Sequence, residues 1–192
     1  MRIVGGEFRG RALSAPDGQN TRPTSDRARQ AVFNILEHAE FAPNLNGARV
    51  MDVFAGSGAL GLEAMSRGGA FCLFVDTDDA ARGAIRDNVE AFGLFGVTRI
   101  HRRDATQLGV RPGPTAEAFN LVFMDPPYRK GLVQPALAAL HSGGWLSPNA
   151  LVVVEMAADE DLFATDLWQI IDSRTYGPAQ VFFLKQKILT DF

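Results

Sequence analysis

From Arg49 onward, short segments dominated by apolar residues alternate with segments whose apolar residues recur at helical spacing. The first kind reads RVMDVF, FCLFVD, VTRIHRRD, NLVFMD and ALVVVEM. Between them, helices are predicted from about Ala59 to Arg67, from about Asp78 to Phe92 and from about Leu132 to His141. A strand that is apolar on both sides must be covered on both faces, and a parallel sheet flanked by helices provides that cover. The tail departs from the pattern. WQIIDSRTYG and AQVFFLKQK meet at YGPA with no helix between them, which predicts an antiparallel terminal pair. The expected fold is therefore α/β: a Rossmann-like, doubly wound sheet of seven strands, mostly parallel, with an antiparallel strand at the C-terminal end.

Upstream of this alternation the chain reads differently. Residues 1–24 contain the short extended pieces RIVGGEFRG and RALSAP, broken by Gly5, Gly6, Gly10 and Pro16, and predict a small hairpin followed by a polar loop. A leading helix is expected from Ser25 to about Glu40. Ala28, Val32, Ile35 and Leu36 lie near helical spacing there, and Ser25 or Asp26 can act as N-cap. The expected organisation is an arm over 1–24 and a single domain over 25–192.

Composition narrows the functional classes. A single cysteine, Cys72, excludes an internal disulfide framework, and its place in AFCLFV suits a buried thiol better than a nucleophile. His38, His101 and His141 are too far apart in sequence to suggest a metal cluster, so no metal is expected. No apolar run approaches the roughly 20 residues that span a bilayer, and MRIVGGEFRGRAL lacks the apolar stretch of a signal peptide. A cytoplasmic protein without membrane contact is expected. The net charge of -3 conceals six arginines against three acids in residues 1–30. A basic arm on an acidic body suits a polyanion, although a solvated surface explains so small an excess equally well.

Two motifs carry chemistry. DVFAGSGALG, residues 52–61, ends a strand and opens a helix, with glycines at 56, 58 and 61. Such a loop lets a ligand approach the backbone closely, but a tight strand-to-helix turn needs glycine too. The acid at Asp52 sharpens the choice, because a carboxylate there repels a pyrophosphate and attracts the sulfonium or ammonium of S-adenosylmethionine. Asp76 closes the next strand, twenty residues after Gly56, the offset at which an acid meets ribose hydroxyls. Asp104 closes the third strand, in position to border an adenine. The alternative for these acids is helix capping, for which Asp78 and Asp79 are also placed.

The second motif is MDPPY, residues 124–128. Pro126 and Pro127 fix two φ angles and remove two donors, so the Asp125 side chain and the neighbouring carbonyls present rigid acceptors. Converging acceptors suit an exocyclic NH2 group, whose lone pair is delocalised into its ring. Hydrogen bonds to Asp125 and the Pro126 carbonyl orient that nitrogen toward a methyl donor, while Tyr128 stacks on the base. The reaction expected is a direct displacement without a covalent enzyme intermediate. The bland alternative is a turn followed by a core tyrosine.

In order, DVFAGSGALGLEAMSRG, FVD, RRDA and MDPPY resemble the class I S-adenosylmethionine-dependent methyltransferases that act on exocyclic amines. RIVGGEFRGRAL, RPTSDRARQAVFNIL and the YGPAQVFFLK ending extend the likeness over nearly the whole chain, toward the bacterial 16S ribosomal RNA guanine N2-methyltransferases. The resemblance implies that Asp52, Gly56 and Gly58 line the methionine end of the cofactor, Asp76 its ribose, and Asp104 with Ala105 its adenine. It implies a base pocket of Asp125, Pro126 and Tyr128. It points to Arg9, Arg11, Arg22 and Arg27 for RNA contact, with Thr24 closing over the cofactor. Surface ion pairing is the competing role for each arginine. One departure stands out: Thr77 follows Asp76 where the family pattern leads one to expect an aromatic or basic residue, which leaves the packing against adenine open.

The expected partner is 16S ribosomal RNA within an assembling small subunit, since so small an arm suits a preformed surface better than a short sequence. The target base must be met in a loop or extruded, at about a few kcal/mol. Three other readings compete. A DNA adenine or cytosine N-methyltransferase shares the chemistry but usually carries a target-recognition insertion, which this chain has no room for. A nicotinamide oxidoreductase is disfavoured by Asp52 and by the lack of an evident hydride-transfer group. A non-enzymatic RNA-binding assembly factor has no need of Asp52, Asp76 and Asp125 together.

Overall fold

The computed structural model describes residues 1–16, 26–112, 117–162 and 166–187. Its strands are β1 (Arg49–Val53), β2 (Phe71–Val75), β3 (Thr98–His101), β4 (Phe119–Met124), β5 (Leu146–Ala157), β6 (Trp168–Tyr176) and β7 (Ala179–Gln186). They form one seven-stranded sheet in the order β3-β2-β1-β4-β5-β7-β6. The five strands from β3 to β5 pair in parallel, whereas β7 runs antiparallel to both β5 and β6. The expected mostly parallel sheet with its reversed C-terminal strand is what forms. Connections from β1 lead outward to β2 and β3, and the chain then returns to lay β4 on the other side of β1. The order thus reverses between β1 and β4, and ligands in open α/β sheets bind beyond the carboxyl ends of strands at such a point.

Alternation within the strands builds two cores. Val50, Cys72, Phe74, Leu121, Phe123, Leu151 and Val153 face one side, where α1 (Asp26–His38), α2 (Ala59–Ser66) and α3 (Asp79–Phe92) contribute Phe33, Leu62 and Ile85. Met51, Val53, Leu73, Val75, Val122, Met124, Val152 and Val154 face the other, covered by Val133, Ala136, Leu137 and Leu140 of α4 (Val133–Ser142). Burying apolar residues on both faces stabilises the sheet by about 25 cal/mol per Å² removed from water, which is why nearly every strand position is apolar. No helix among the described residues is long and apolar enough to cross a membrane.

The helix limits fall within two residues of those expected. Asp78, one of the two capping candidates, accepts a 2.7 Å hydrogen bond from the Ala81 N–H at the start of α3. The Ser25 cap lies outside the described residues. At the N-terminus the hairpin is a tight loop closed by one antiparallel bridge between Arg2 and Ala12, with Ile3 and Leu13 inserted into the first core. A fully buried carboxylate fastens it: Glu63 of α2 accepts from the Val4 and Gly5 N–H groups at 2.9 and 2.8 Å. The same side chain pairs with Arg67 at 2.9 Å and lies 3.5 Å from Nε of the buried Arg29. Arg29 reaches on to Asp26 at 2.9 Å and to the Arg2 carbonyl. Two arginines and two amides around one buried carboxylate make α1, α2 and the arm a single packed unit.

Candidate active site

The site is assembled at the carboxyl ends of β1, β2 and β4. After β1 the chain turns sharply: Phe54 adopts φ 58°, a left-handed conformation unusual for a non-glycine residue, and Gly56 and Gly58 follow at 55° and 76°. Gly58 caps α2, and the Gly58 N–H donates to the Ala55 carbonyl at 2.7 Å. A Cβ at Gly58 would sit 3.1 Å from Phe74 and 3.2 Å from Ile85. Above Gly56, by contrast, nothing lies within 4 Å of the position a Cβ would take, so the loop is open where a ligand would approach. The third glycine serves packing. A Cβ on Gly61 would come within 2.5 Å of Phe74, 2.7 Å of Cys72 and 3.1 Å of Asp52, so α2 approaches β1 and β2 as closely as it does only because that atom is missing.

Asp52 is buried on the α2 side of β1, where its Oδ2 accepts the Gly61 N–H at 2.9 Å. This contact with the first turn of α2 was not anticipated from the sequence. Loss of water pushes the carboxyl up to about 8; the Gly61 hydrogen bond pulls it down and the charge of Asp76 adds to the rise. Burial also raises the neighbouring Cys72 thiol, with Asp52 contributing, which suits a core residue rather than a nucleophile.

Asp76 joins the loop to β2. One carboxylate oxygen accepts from the Gly56 N–H at 2.9 Å and the other from the Asp78 N–H at 2.9 Å. A carboxylate offers about four lone-pair sites, so acceptor capacity remains for hydroxyl groups beside the open face of Gly56. Asp104 caps a short 3-10 turn, Ala105–Gln107, its Oδ1 accepting from the Thr106 N–H at 2.8 Å and hydroxyl at 2.7 Å. Asp104 is exposed while Ala105 is buried in the second core. The capping that competed with ligand binding is present at Asp104, and neither role excludes the other.

On β4, Met124 pairs with Val154 of β5, and Asp125 and Glu155 are each the next residue along. Asp125 is half-buried, Pro126 buried and Pro127 exposed. Tyr128 donates from its hydroxyl to Glu155 Oε1 at 2.6 Å. Pro126, Pro127, Tyr128, Glu155 and Met156 line an open cavity of about 250 Å³. Its rim is tied down: the Arg129 N–H donates to Glu160 at 2.9 Å, and the Arg129 guanidinium pairs with Asp159 at 2.9 Å. Glu155 is a site residue that the sequence reading missed. The signal available was an acid closing the apolar run VVVE, the same grammar that marked Asp76 and Asp125, but its meaning depends on β5 lying beside β4.

Arg9, Arg11 and Arg27 are all exposed. Arg11 stacks over Phe92 at 4.4 Å, donates to the Ala91 carbonyl and lies over Phe8, whose ring stacks on Phe92 at 5.0 Å. Its guanidinium therefore helps hold the arm on α3. The arm's other end is held by Asn88, a buried residue of α3 that accepts from the Ser14 N–H at 2.8 Å. Its amide donates to the Ser14 carbonyl at 2.9 Å and to the Ser57 carbonyl of the glycine loop at 3.0 Å. Arg22 and Thr24 lie outside the described residues. Among those described, no cluster of three or more histidines, cysteines or acids is arranged to hold a metal ion.

A model of the family described as Conserved hypothetical protein 95 matches residues 1–185. The chain is 38% identical to the Ribosomal RNA small subunit methyltransferase D of Escherichia coli strain K12 over 162 residues, covering 84% of this chain and 77% of that protein. It is 32% identical to the Putative rRNA methyltransferase YlbH of Bacillus subtilis strain 168, covering 97% of this chain and all of that one. Among solved structures, the putative methyltransferase yhhF from Escherichia coli superposes with a TM-score of 0.80 at 34% identity, covering 97% of each chain.

Proposed function

Because the chain belongs to the family described as Conserved hypothetical protein 95, with relatives named as ribosomal RNA methyltransferases, we propose that it methylates the exocyclic N2 amine of a guanine in 16S ribosomal RNA of the small subunit. The observation that carries the reading is the meeting of the two motifs at the reversal of strand order: the open Gly56 loop with Asp76 beside it, and the rigid Asp125-Pro126 acceptors across the β1–β4 pairing. The residues present fit S-adenosylmethionine, which when bound supplies an electrophilic methyl group on sulfur. Gly56 leaves the space, Asp76 offers acceptors to ribose hydroxyls, Asp104 and Ala105 border the adenine end, and Asp52, whose carboxyl burial raises to about 8, shapes the methionine end with Gly58 by holding Gly61 rather than by the charge expected of it.

The chain's own part in the reaction is positioning. Asp125 and the Pro126 carbonyl accept the two N–H groups of the amine, which turns its lone pair toward the methyl donor and favours build-up of positive charge on nitrogen. Tyr128 presents an aromatic face to the base. After the nitrogen has gained its methyl group, Asp125, which accepts one of its N–H groups, takes the released proton. Arg9 and Arg22 of residues 1–24, Arg11 in so far as it shapes that arm, and Arg27 at the start of α1 provide RNA contact, while residues 25–192 form the methyltransferase domain. An assembling small subunit in the cytoplasm suits an arm of this size as the substrate.

The reading is tested by Asp125→Ala. Methyl transfer to small subunits from cells lacking the protein should fall at least about a hundredfold, while S-adenosylhomocysteine binds with unchanged affinity. Joint loss of binding and transfer would remove Asp125 from the role assigned to it.

A further inference from the structure

Tyr128 is held at two ends. Its backbone follows two prolines that fix φ, and its hydroxyl is tied to a carboxylate on the neighbouring strand. The register explains why the tie exists: Asp125 and Glu155 each follow the paired residues Met124 and Val154, so the two acids stand side by side where β4 ends and β5, still paired with β7, runs two residues further. Glu155 is only 8% exposed. A buried carboxylate is costly unless hydrogen-bonded, and the 2.6 Å separation lies in the short range typical of a hydroxyl donating to a carboxylate. A bond of that kind fixes the direction of the phenol, and hence the plane of the ring, more firmly than packing around a half-buried tyrosine would. The ring and Glu155 line the same open cavity with Pro126 and Pro127.

We propose that Glu155 is a positioning residue for methyl transfer: it acts through the Tyr128 hydroxyl to hold the ring at the tilt on which the target base stacks beside Asp125. The inference rests on the reading of Tyr128 as a base-stacking residue given above. A base that stacks on a ring free to swing presents its amine to Asp125 in a range of orientations, and transfer requires one. The consequence falls on kcat with the RNA substrate. Cofactor binding, which uses the ends of β1 and β2, is left alone.

A mutant cycle tests this with wild type, Glu155→Ala, Tyr128→Phe and the double variant, measured for kcat and KM on small subunits and for S-adenosylhomocysteine affinity. Tyr128→Phe keeps the aromatic face and removes only the tie. Each single variant should lower kcat about tenfold or more, with KM changed less and cofactor affinity unchanged. The double variant should be no worse than either single one, because both remove the same interaction. Glu155→Gln, which keeps an acceptor, should recover most of the lost rate. Multiplying losses in the double variant, a Tyr128→Phe protein as fast as wild type, or a Glu155→Ala protein that loses cofactor affinity in step with kcat would each overturn the proposal. A wild-type protein that binds cofactor yet transfers no methyl group would instead sink the underlying functional reading, and this inference with it.

Discussion

Buried against the first turn of α2, Asp52 is an acid that folding keeps protonated near neutral pH. Its pKa of about 8 in the folded chain compares with an ordinary 3.8, so between those values the native state holds a proton that the unfolded state has released. A group raised in this way gives stability that is fully present at low pH and lost as pH climbs, here across the window from about 4 to about 8, by at most about 1.4 kcal/mol per pH unit. The melting temperature should therefore decline across that window more steeply in wild type than in Asp52→Asn, and parallel profiles would show that Asp52 titrates normally. A second residue-scale prediction concerns Gly61. Alanine there must push into Phe74, Cys72 and Asp52, and overpacking of that kind costs about 1–3 kcal/mol. Gly61→Ala should melt several degrees lower; an unchanged melting temperature would mean that α2 is free to shift away from the sheet.

At the scale of elements, α2 joins the arm to the domain through Glu63. Removing this carboxylate leaves Arg29 with Asp26 and Arg67 with Glu37 as their remaining counter-charges, so the cost falls below the about 3–5 kcal/mol of a buried charge left unpaired. Glu63→Ala should show that loss in denaturant unfolding and should expose residues 1–16 to proteolysis before the rest of the chain; cleavage rates equal to wild type would mean that Ile3, Leu13, Arg11 and Asn88 hold the arm without Glu63. None of this was legible in the sequence. Glu63 and Arg29 read as ordinary charged positions on amphipathic helices, and only the approach of three elements makes them a buried cluster. The strands and helices were legible, because two-sided burial forces apolar residues onto nearly every strand position and because helical spacing marks α1, α3 and α4. The acids that follow β2 and β4 stood out for the same reason, being charges at the ends of apolar runs, while Asp52 stood out by the glycine loop after it. Arg11 was assigned to RNA contact by resemblance alone, and its stack on Phe92, which no local pattern announces, adds a structural role beside that assignment.

Across the whole molecule, the cofactor loop and the acceptor motif lie at the carboxyl ends of β1, β2 and β4, while the arm runs along α2 and α3 from Ser66 and Ala91 up to Asn88 beside the loop. The arm's contribution is electrostatic if it touches RNA. Each phosphate contact removed from such an interface lowers the slope of log affinity against log salt by about 0.7 to 0.9. Arg9→Ala together with Arg27→Ala, two exposed residues, should thus weaken binding to small subunits and flatten its salt dependence, and an identical slope would take these residues out of the interface. Glu155 shows why topology had to be known first: its place beside Asp125 follows from β5 adding next to β4, a neighbour relation that no local pattern announces. The central claim concerns which atom receives the methyl group, and it is tested most directly by incubating the protein with labelled S-adenosylmethionine and small ribosomal subunits from cells lacking it, with naked 16S RNA and duplex DNA alongside, and digesting the products to nucleosides. Label in N2-methylguanosine from the subunit RNA is the predicted result; label in any other nucleoside, or in DNA, would contradict it.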